Sequence, residues 1–177
     1  MPHTFYPTNV EQISSVPDQE IAWTSNPTTN INYLVNATWK PVRDLKHIAN
    51  PATGDQRMRT YDLYCTGFNI PLLEQIQGIK LSLTAQRYAR IVDETIQLTY
   101  QGQPIGINNF SYQVDPDNNV LITNESTYGG SEDLWGAELM PEMLQDPSFG
   151  VILKFQSHPY FPHSCGMFLY SVAITIY

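Results

Sequence analysis

Basic side chains are scarce in this chain of 177 residues, which has nine Lys and Arg against 17 Asp and Glu and a net charge of −8. A surface that neutralises nucleic-acid phosphates needs clustered Lys and Arg, and so does a surface that binds anionic lipid. The composition therefore predicts no nucleic-acid partner and no membrane partner. No apolar stretch approaches the roughly 20 residues of a membrane span, and no signal-peptide core follows Met1. We expect a protein that is made and used without export.

Cysteine is also rare, with Cys65 and Cys165 alone in the chain. Free cysteines are among the most often buried residues, so two small buried hydrophobic residues are the simpler interpretation. A disulfide between the two stays open, because spacing along the chain does not decide whether two cysteines meet. Neither a CxxC pair nor paired histidines accompany them, which excludes the usual structural zinc sites.

Recognisable catalytic motifs are missing. The sequence has no nucleophile elbow, no phosphate-binding loop and no dinucleotide fingerprint, and it implies no cofactor. Glu132 and Asp133 stand beside Trp135, as acids stand beside aromatic residues at glycosidase sites, but no second partner acid is indicated. We therefore predict that the protein is not an enzyme. A hydrolase is the weakest alternative, since no set of catalytic residues supports it.

Alternation of apolar and polar residues dominates from about Tyr61 onward and predicts strands with one buried face. The residues expected to face the core form four rows: Ile79, Leu81, Leu83 and Ala85; Ile96, Leu98 and Tyr100; Phe149, Val151, Leu153 and Phe155; and Phe168, Tyr170, Val172, Ile174 and Ile176. The last row belongs to the longest and most apolar strand. We expect that strand at the centre of its sheet, because so apolar an edge would aggregate.

Many short strands separated by turns, with one short helix beginning at Pro141, predict an all-β fold. The favoured form is an antiparallel β-sandwich of the jelly-roll type over residues 21–177. Residues 1–20 differ, because prolines recur there and hydrophobic runs are short, and they are expected to form an extended N-terminal arm. Packing on a neighbouring subunit would order such an arm, with Phe5 and Tyr6 as candidate partner contacts.

The charges are unevenly distributed along the chain. Residues 40–90 hold eight of the nine basic side chains, whereas residues 91–153 hold ten acidic side chains and no basic one. Two interpretations stay open. In the first, the acidic stretch forms a face that is exposed to solvent. In the second, the acidic and basic surfaces meet across a subunit interface and fix how the subunits align.

One candidate contact surface lies between Ser157 and Ser164, where two histidines and two aromatic residues alternate with prolines. Prolines reduce the conformational entropy lost on binding, so this stiff loop is a candidate contact for a protein partner or a glycan. A hairpin tip without a binding role is the alternative, and a metal site would need a third ligand that the sequence does not supply. The candidate residues are His158, Tyr160, Phe161 and His163.

A second polar loop resembles the beginning of a calcium-binding loop. Asp115, Asp117 and Asn119 occupy the positions of its first three ligands, but Val120 replaces the glycine and Ser126 replaces the final glutamate of an EF-hand. These three residues are a weak candidate for a divalent ion. A polar turn is the better interpretation.

Several motifs recur in a fixed order along the chain. They are YGGSEDLWG from Tyr128, FGVIL from Phe149 and VAITIY from Val172, preceded by Trp23 with Asn26-Pro27, FNIP from Phe68, IQGI from Ile76, and Asp93 with Gln97-Leu98. From Ile21 to Tyr177 this order resembles a β-sandwich domain that recurs in bacteriophage virion proteins. The Asp115 loop and the Ser157–Ser164 loop depart from the usual pattern of that domain.

The resemblance implies a virion structural protein, an accessory subunit of capsid, neck, tail or baseplate that decorates, cements or connects. Its partners would be further copies of itself and other virion proteins, and its location would be the virion. The alternative is a glycan-binding adhesion module of a phage tail or fibre. In that case a host-surface saccharide would stack on Tyr160 and Phe161.

Overall fold

The computed structural model describes residues 1–12, 23–25, 37–39, 60–88, 91–110, 121–157 and 167–177. This part of the chain forms eleven strands and one short helix, α1, at Pro141–Gln145. The strands are β1 His3–Phe5, β2 Asn9–Gln12, β3 Trp23–Ser25, β4 Ala37–Trp39, β5 Thr60–Thr66, β6 Ile79–Tyr88, β7 Ile91–Tyr100, β8 Gln103–Ile105, β9 Leu121–Gly129, β10 Gly150–Ser157 and β11 Met167–Ile176.

The strands form two antiparallel sheets in a jelly-roll order. The first sheet runs β3-β4-β11-β6-β9, with β1 also paired to β11, and the second runs β2-β5-β10-β7-β8. The pairs β4–β11, β5–β10, β6–β9 and β7–β8 alternate between the two sheets. One long antiparallel hairpin wrapped into two facing sheets produces this order. The predicted all-β sandwich is confirmed, and β11 lies inside its sheet as expected.

The core lies between the two sheets, because alternate residues of each strand point into it. In the first sheet Leu81 pairs with Ile174, and in the second Leu153 pairs with Leu63 and Ile96. All five side chains are buried. Each such burial contributes about 1.5–3 kcal/mol, which makes the facing rows the main source of stability. The alternation predicted for β6, β7 and β10 is thus observed, with Tyr100 half-buried at the end of its row.

Strand β11 contains an irregularity near its beginning. The pairing with β6 shifts register between Leu169 and Ser171, and Leu169 is fully buried. A β-bulge adds one residue to a strand and reverses the faces on one side of it. Of the row predicted for β11, Val172, Ile174 and Ile176 are buried, and the side chains of Phe168 and Tyr170 lie outside the described part of the structure.

The first twelve residues do not extend away from the sandwich as the predicted arm would. Strand β1 pairs with the end of β11, and β2 pairs with β5, so this segment adds one strand to each sheet. Between them Pro7 is buried, and the Thr8 N–H donates to the carbonyl oxygens of Thr66 and Gly67. Pairing within the chain accounts for the order of these residues without a neighbouring subunit. Residues 13–20 of the predicted arm lie outside the described residues.

Hydrogen bonds and one buried side chain hold α1 and the residues after it against the sandwich. Leu144 of α1 is buried in the core, and the helix ends at Asp146, whose Oδ1 accepts the Ser148 N–H over 2.8 Å. That backbone hydrogen bond and one from the Ser148 hydroxyl hold the pKa of the Asp146 carboxyl below its ordinary value, with a smaller contribution from the Tyr100 hydroxyl. The Ser148 carbonyl in turn accepts the hydroxyl of Tyr64 over 3.1 Å.

Candidate interaction surface

Trp135 fixes the loop between β9 and α1 to the sandwich. Its side chain is fully buried, and its Nε1–H donates to the carbonyl oxygen of Ile79 over 2.9 Å. The Asp133 carboxylate accepts the Trp135 N–H over 2.7 Å. The backbone of Trp135 has a φ of 58°, a left-handed conformation that costs a residue with a side chain about 1–2 kcal/mol. Burial of the indole and its satisfied N–H offset that cost.

Gly129 makes this anchor feasible. Its φ is 71°, and a Cβ at this position would overlap both the carbonyl oxygen of Ile79 and the Nε1 of Trp135. A residue with a side chain would therefore displace the hydrogen-bonded indole, besides adopting a backbone conformation that favours glycine. The glycine is required where β9 turns into the loop.

The loop after β8 is held against this anchored loop and against β7. The Ile107 N–H donates to the Trp135 carbonyl over 2.7 Å. The Asn108 side chain continues the pairing of β7 where β8 ends, since its Oδ1 accepts the Ile96 N–H over 2.8 Å and its Nδ2 donates to the Glu94 carbonyl over 2.9 Å. The side-chain amide of Asn108 thus supplies the donor and acceptor that the backbone of a further strand residue would supply. Both loops are fixed to the sandwich by hydrogen bonds.

Four large apolar side chains of these two loops remain exposed. The exposed fractions are 54% for Ile107, 48% for Phe110, 37% for Leu134 and 59% for Met140. We call these four residues the loop patch. Exposed apolar side chains on loops that hydrogen bonds fix in place indicate an interaction surface more strongly than those on unsupported loops do.

Acidic side chains lie on the same segment as two residues of the loop patch, Leu134 and Met140. Glu132, Glu138 and Glu142 are exposed on the loop between β9 and α1 and on α1 itself. The sequence from residue 91 to residue 153 contains no Lys or Arg that could neutralise them. A partner at this surface would combine apolar contacts with a positive rim, because complementary charge sets orientation and association rate.

A buried polar pair joins the two sheets elsewhere in the core. The Tyr128 hydroxyl on β9 donates to Oδ2 of Asp93 on β7 over 2.7 Å, and the two residues are 4% and 1% exposed. Asp93 faces inward because the register shifts between Lys154 and Phe155, which places Asp93 opposite Phe155. A carboxylate and a tyrosine could act in catalysis, but here both are closed off from solvent. Their arrangement cross-links the sheets.

Cys65 is a free thiol in the core of the second sheet. Burial raises the pKa of its thiol to about 12, so the reactive thiolate is not formed near neutral pH. The expectation of a small buried hydrophobic residue is confirmed for Cys65. Cys165 lies outside the described residues.

The two N-terminal candidates have different surroundings. Phe5 is half-buried and packs against the core of its own chain, which accounts for its apolar character without a partner. Tyr6 is 43% exposed between β1 and β2 and stays a candidate partner contact. The other candidates lie outside the described residues: His158, Tyr160, Phe161 and His163 of the proline-containing loop, and Asp115, Asp117 and Asn119 of the calcium-like loop.

Sequence reasoning missed the loop patch. Ile107, Phe110 and Leu134 follow no strand alternation and stand next to Gly, Asn or acidic residues, which is a local sign of exposed positions. The two loops meet through the hydrogen bond between Ile107 and Trp135, which joins residues 28 positions apart and has no local sequence signal. In the described part of the chain, no three metal-binding side chains are grouped as a metal site would require. No described helix has the length and apolarity of a membrane span.

Each of several sequence motifs places a large side chain in the core. Phe68, Ile79, Tyr128, Trp135 and Phe149 are all buried there. The run from Tyr128 to Gly136 builds the anchored loop, and its Leu134 is one of the exposed residues of the loop patch. No protein-family model matches the chain, and neither the curated proteins nor the solved structures contain a match to it.

Proposed function

We propose that this chain is a non-enzymatic structural subunit of a bacteriophage virion. It is an accessory part of capsid, neck, tail or baseplate that decorates, cements or connects by assembling with itself and with other virion proteins. The loop patch is the observation that carries this proposal. Hydrogen bonds already fix the two loops that carry the patch. A partner subunit that covers the patch therefore orders few additional groups, and the conformational entropy lost on assembly is small.

The strand order supports the proposal at the level of fold. Jelly rolls build viral capsid proteins, but they also build lectin domains and cupins, so the fold by itself does not select a function. The resemblance of the motifs around Tyr128 and Trp135 to phage virion domains favours the structural role.

Mass spectrometry of phage particles tests this proposal. Particles made by a host that carries the gene are purified on a density gradient, and peptides of the chain are quantified against those of the major capsid protein. We expect a fixed ratio of the two across all particle fractions. A chain that stays in the soluble lysate and is absent from the particles would contradict the proposal.

A glycan-binding adhesion module is the second candidate, and one local feature favours it. The ring of Phe110 is 48% exposed on a loop that hydrogen bonds fix in place. An exposed aromatic ring is a surface on which a saccharide ring can stack. A glycan array tests this candidate with a Phe110→Ala variant. Sugar binding that Phe110→Ala abolishes, and that the control Leu72→Ala retains, would favour adhesion over assembly.

A further inference from the structure

Strand β9 is the outermost strand of the first sheet. Among the described strands it pairs with β6 alone, and its nine residues run from Leu121 to Gly129. Long edges are usually blocked by proline, lysine or a bulge, because unpaired backbone groups can bind another strand. The sequence of β9 contains no proline, lysine or arginine, and Glu125 is its one charged residue.

The pairing with β6 determines which backbone groups of β9 face outward. The Gly130 N–H donates to the Ile79 carbonyl, and Gly129 is the register partner of Lys80. Hydrogen-bonded pairs alternate along an antiparallel ladder, so every second residue before Gly130 bonds to β6. The N–H and C=O groups of Glu125, Thr127 and Gly129 therefore point to the open side of the sheet.

The outer face beside this edge carries one charge of each sign. Lys80 on β6 points away from the core because Ile79 and Leu81 on either side of it are buried. Glu125 on β9 is exposed and points the opposite way to the buried Tyr128, three residues further along the strand. Neither makes an ion pair with any other residue that the structure describes. Gly129 is the register partner of Lys80 and has no side chain.

We propose that a second copy of this chain adds its β9 antiparallel to this edge, with Thr127 opposite Thr127 of the partner subunit. This register is symmetric about a two-fold axis and places Glu125 opposite Gly129 of the partner subunit. Lys80 of the partner subunit lies on the strand beyond that glycine, as its register partner. Two strand spacings, about 9.6 Å, then separate the Cβ atoms of Glu125 and that lysine. Both side chains are long enough to meet across the glycine.

The two-fold axis produces this ion pair twice in the dimer. The first sheet of one subunit and the first sheet of the other become one continuous sheet. A two-fold dimer through a shared patch is the commonest form of self-association, and strand addition is a recurrent way to form it. The inference rests on the proposed self-assembly of the chain and names the surface responsible. This register is favoured because it places Glu125 near a lysine of the partner subunit. A register centred on Glu125 would instead place two glutamates opposite each other.

Charge exchange tests the pairing on the full-length chain. Sedimentation velocity over a concentration series gives the dimer dissociation constant for the wild type, Lys80→Glu, Glu125→Lys and the double variant that carries both. Each single variant makes two like-charged pairs per dimer and should raise the dissociation constant about tenfold or more. The double variant should return to within about threefold of the wild type, because it restores two attractions with exchanged signs. Glu74→Lys, an exposed acid in the loop between β5 and β6, is the matched control and should also stay within that range.

Hydrogen exchange checks the edge independently of charge. In the dimer the amides of Glu125, Thr127 and Gly129 should exchange more slowly as the protein concentration rises, since their N–H groups become paired. A wild type that stays monomeric, single variants that dimerise like the wild type, or a double variant that is not restored would each overturn the inference.

The two proposals fail in distinguishable ways. Particles that contain the chain, together with a chain that does not dimerise through β9, would overturn this inference and leave the proposed function intact. A β9 dimer of a chain that is absent from the particles would overturn the proposed function alone.

Discussion

Replacing Gly129 by alanine tests the reasoning about the Trp135 anchor. The backbone of Gly129 has a φ of 71°, and an added Cβ would overlap the Ile79 carbonyl oxygen and the Trp135 Nε1. Two other glycines separate the two causes of the expected damage. Gly102 has a φ of 75° but no atom within 4 Å of an added Cβ, and Gly130 has open space without a positive φ.

The expected magnitudes follow from these surroundings. A left-handed conformation costs an alanine about 1–2 kcal/mol, which is the whole cost expected for Gly102→Ala. Gly129→Ala adds the loss of the buried hydrogen bond between Trp135 and Ile79, about 1–3 kcal/mol, so its total is about 2–5 kcal/mol. Gly130→Ala should change the free energy of unfolding by less than about 1 kcal/mol, with stabilisation favoured because alanine restricts the unfolded chain.

Urea denaturation followed by circular dichroism and tryptophan fluorescence measures these differences. We expect the midpoint to fall most for Gly129→Ala, less for Gly102→Ala and not for Gly130→Ala, with similar slopes in all four proteins. A Gly129→Ala variant that loses no more stability than Gly102→Ala would refute the steric argument. It would also remove the basis for regarding the loop patch as rigid.

Three further predictions concern single side chains of the sandwich. Tyr128→Phe removes the hydroxyl that donates a buried hydrogen bond to Asp93, and urea denaturation should show a loss of about 1–3 kcal/mol in the free energy of unfolding. The loss should exceed that of Tyr64→Phe, because the Tyr64 hydroxyl donates to a backbone carbonyl at a partly buried position. Folding lowers the pKa of the Asp146 carboxyl. The ionised carboxylate therefore stabilises the folded protein above the ordinary carboxyl pKa, and this contribution is lost as the pH falls through the lowered pKa of the folded state. Thermal midpoints should accordingly show Asp146→Asn as less stable than the wild type at neutral pH, with the difference vanishing in strong acid. Burial raises the pKa of the Cys65 thiol to about 12, so iodoacetamide should alkylate Cys65 in urea but not in the native protein, as peptide mass mapping would show.

Local periodicity was sufficient to predict the strands that build the core. The rows that begin at Ile79, Ile96 and Phe149 were recognisable because one face of each strand is buried and the other is polar. The helix at Pro141 also has a local chemical cause, the fixed φ of proline at the first helical position. Sequence reasoning succeeds where neighbouring residues alone determine the conformation.

Features that depend on distant pairing could not be predicted in the same way. Strands β1 and β2 contain short apolar runs and are stabilised by backbone pairing with β11 and β5, which are distant in sequence. The bulge near Leu169 follows from the register with β6, and the exposed positions around Ile107 follow from contact with the Trp135 loop. Each requires knowledge of which segments meet in space.

Cryo-electron microscopy of purified particles tests the central claim most directly. A reconstruction should contain repeated copies of a two-sheet density with the order β4-β11-β6-β9 in one sheet and β5-β10-β7-β8 in the other. The loop patch at Ile107 and Leu134 should be covered by a neighbouring subunit. A complete reconstruction in which other proteins account for every density, with no copy of this sandwich, would contradict the proposal that the chain is built into the virion.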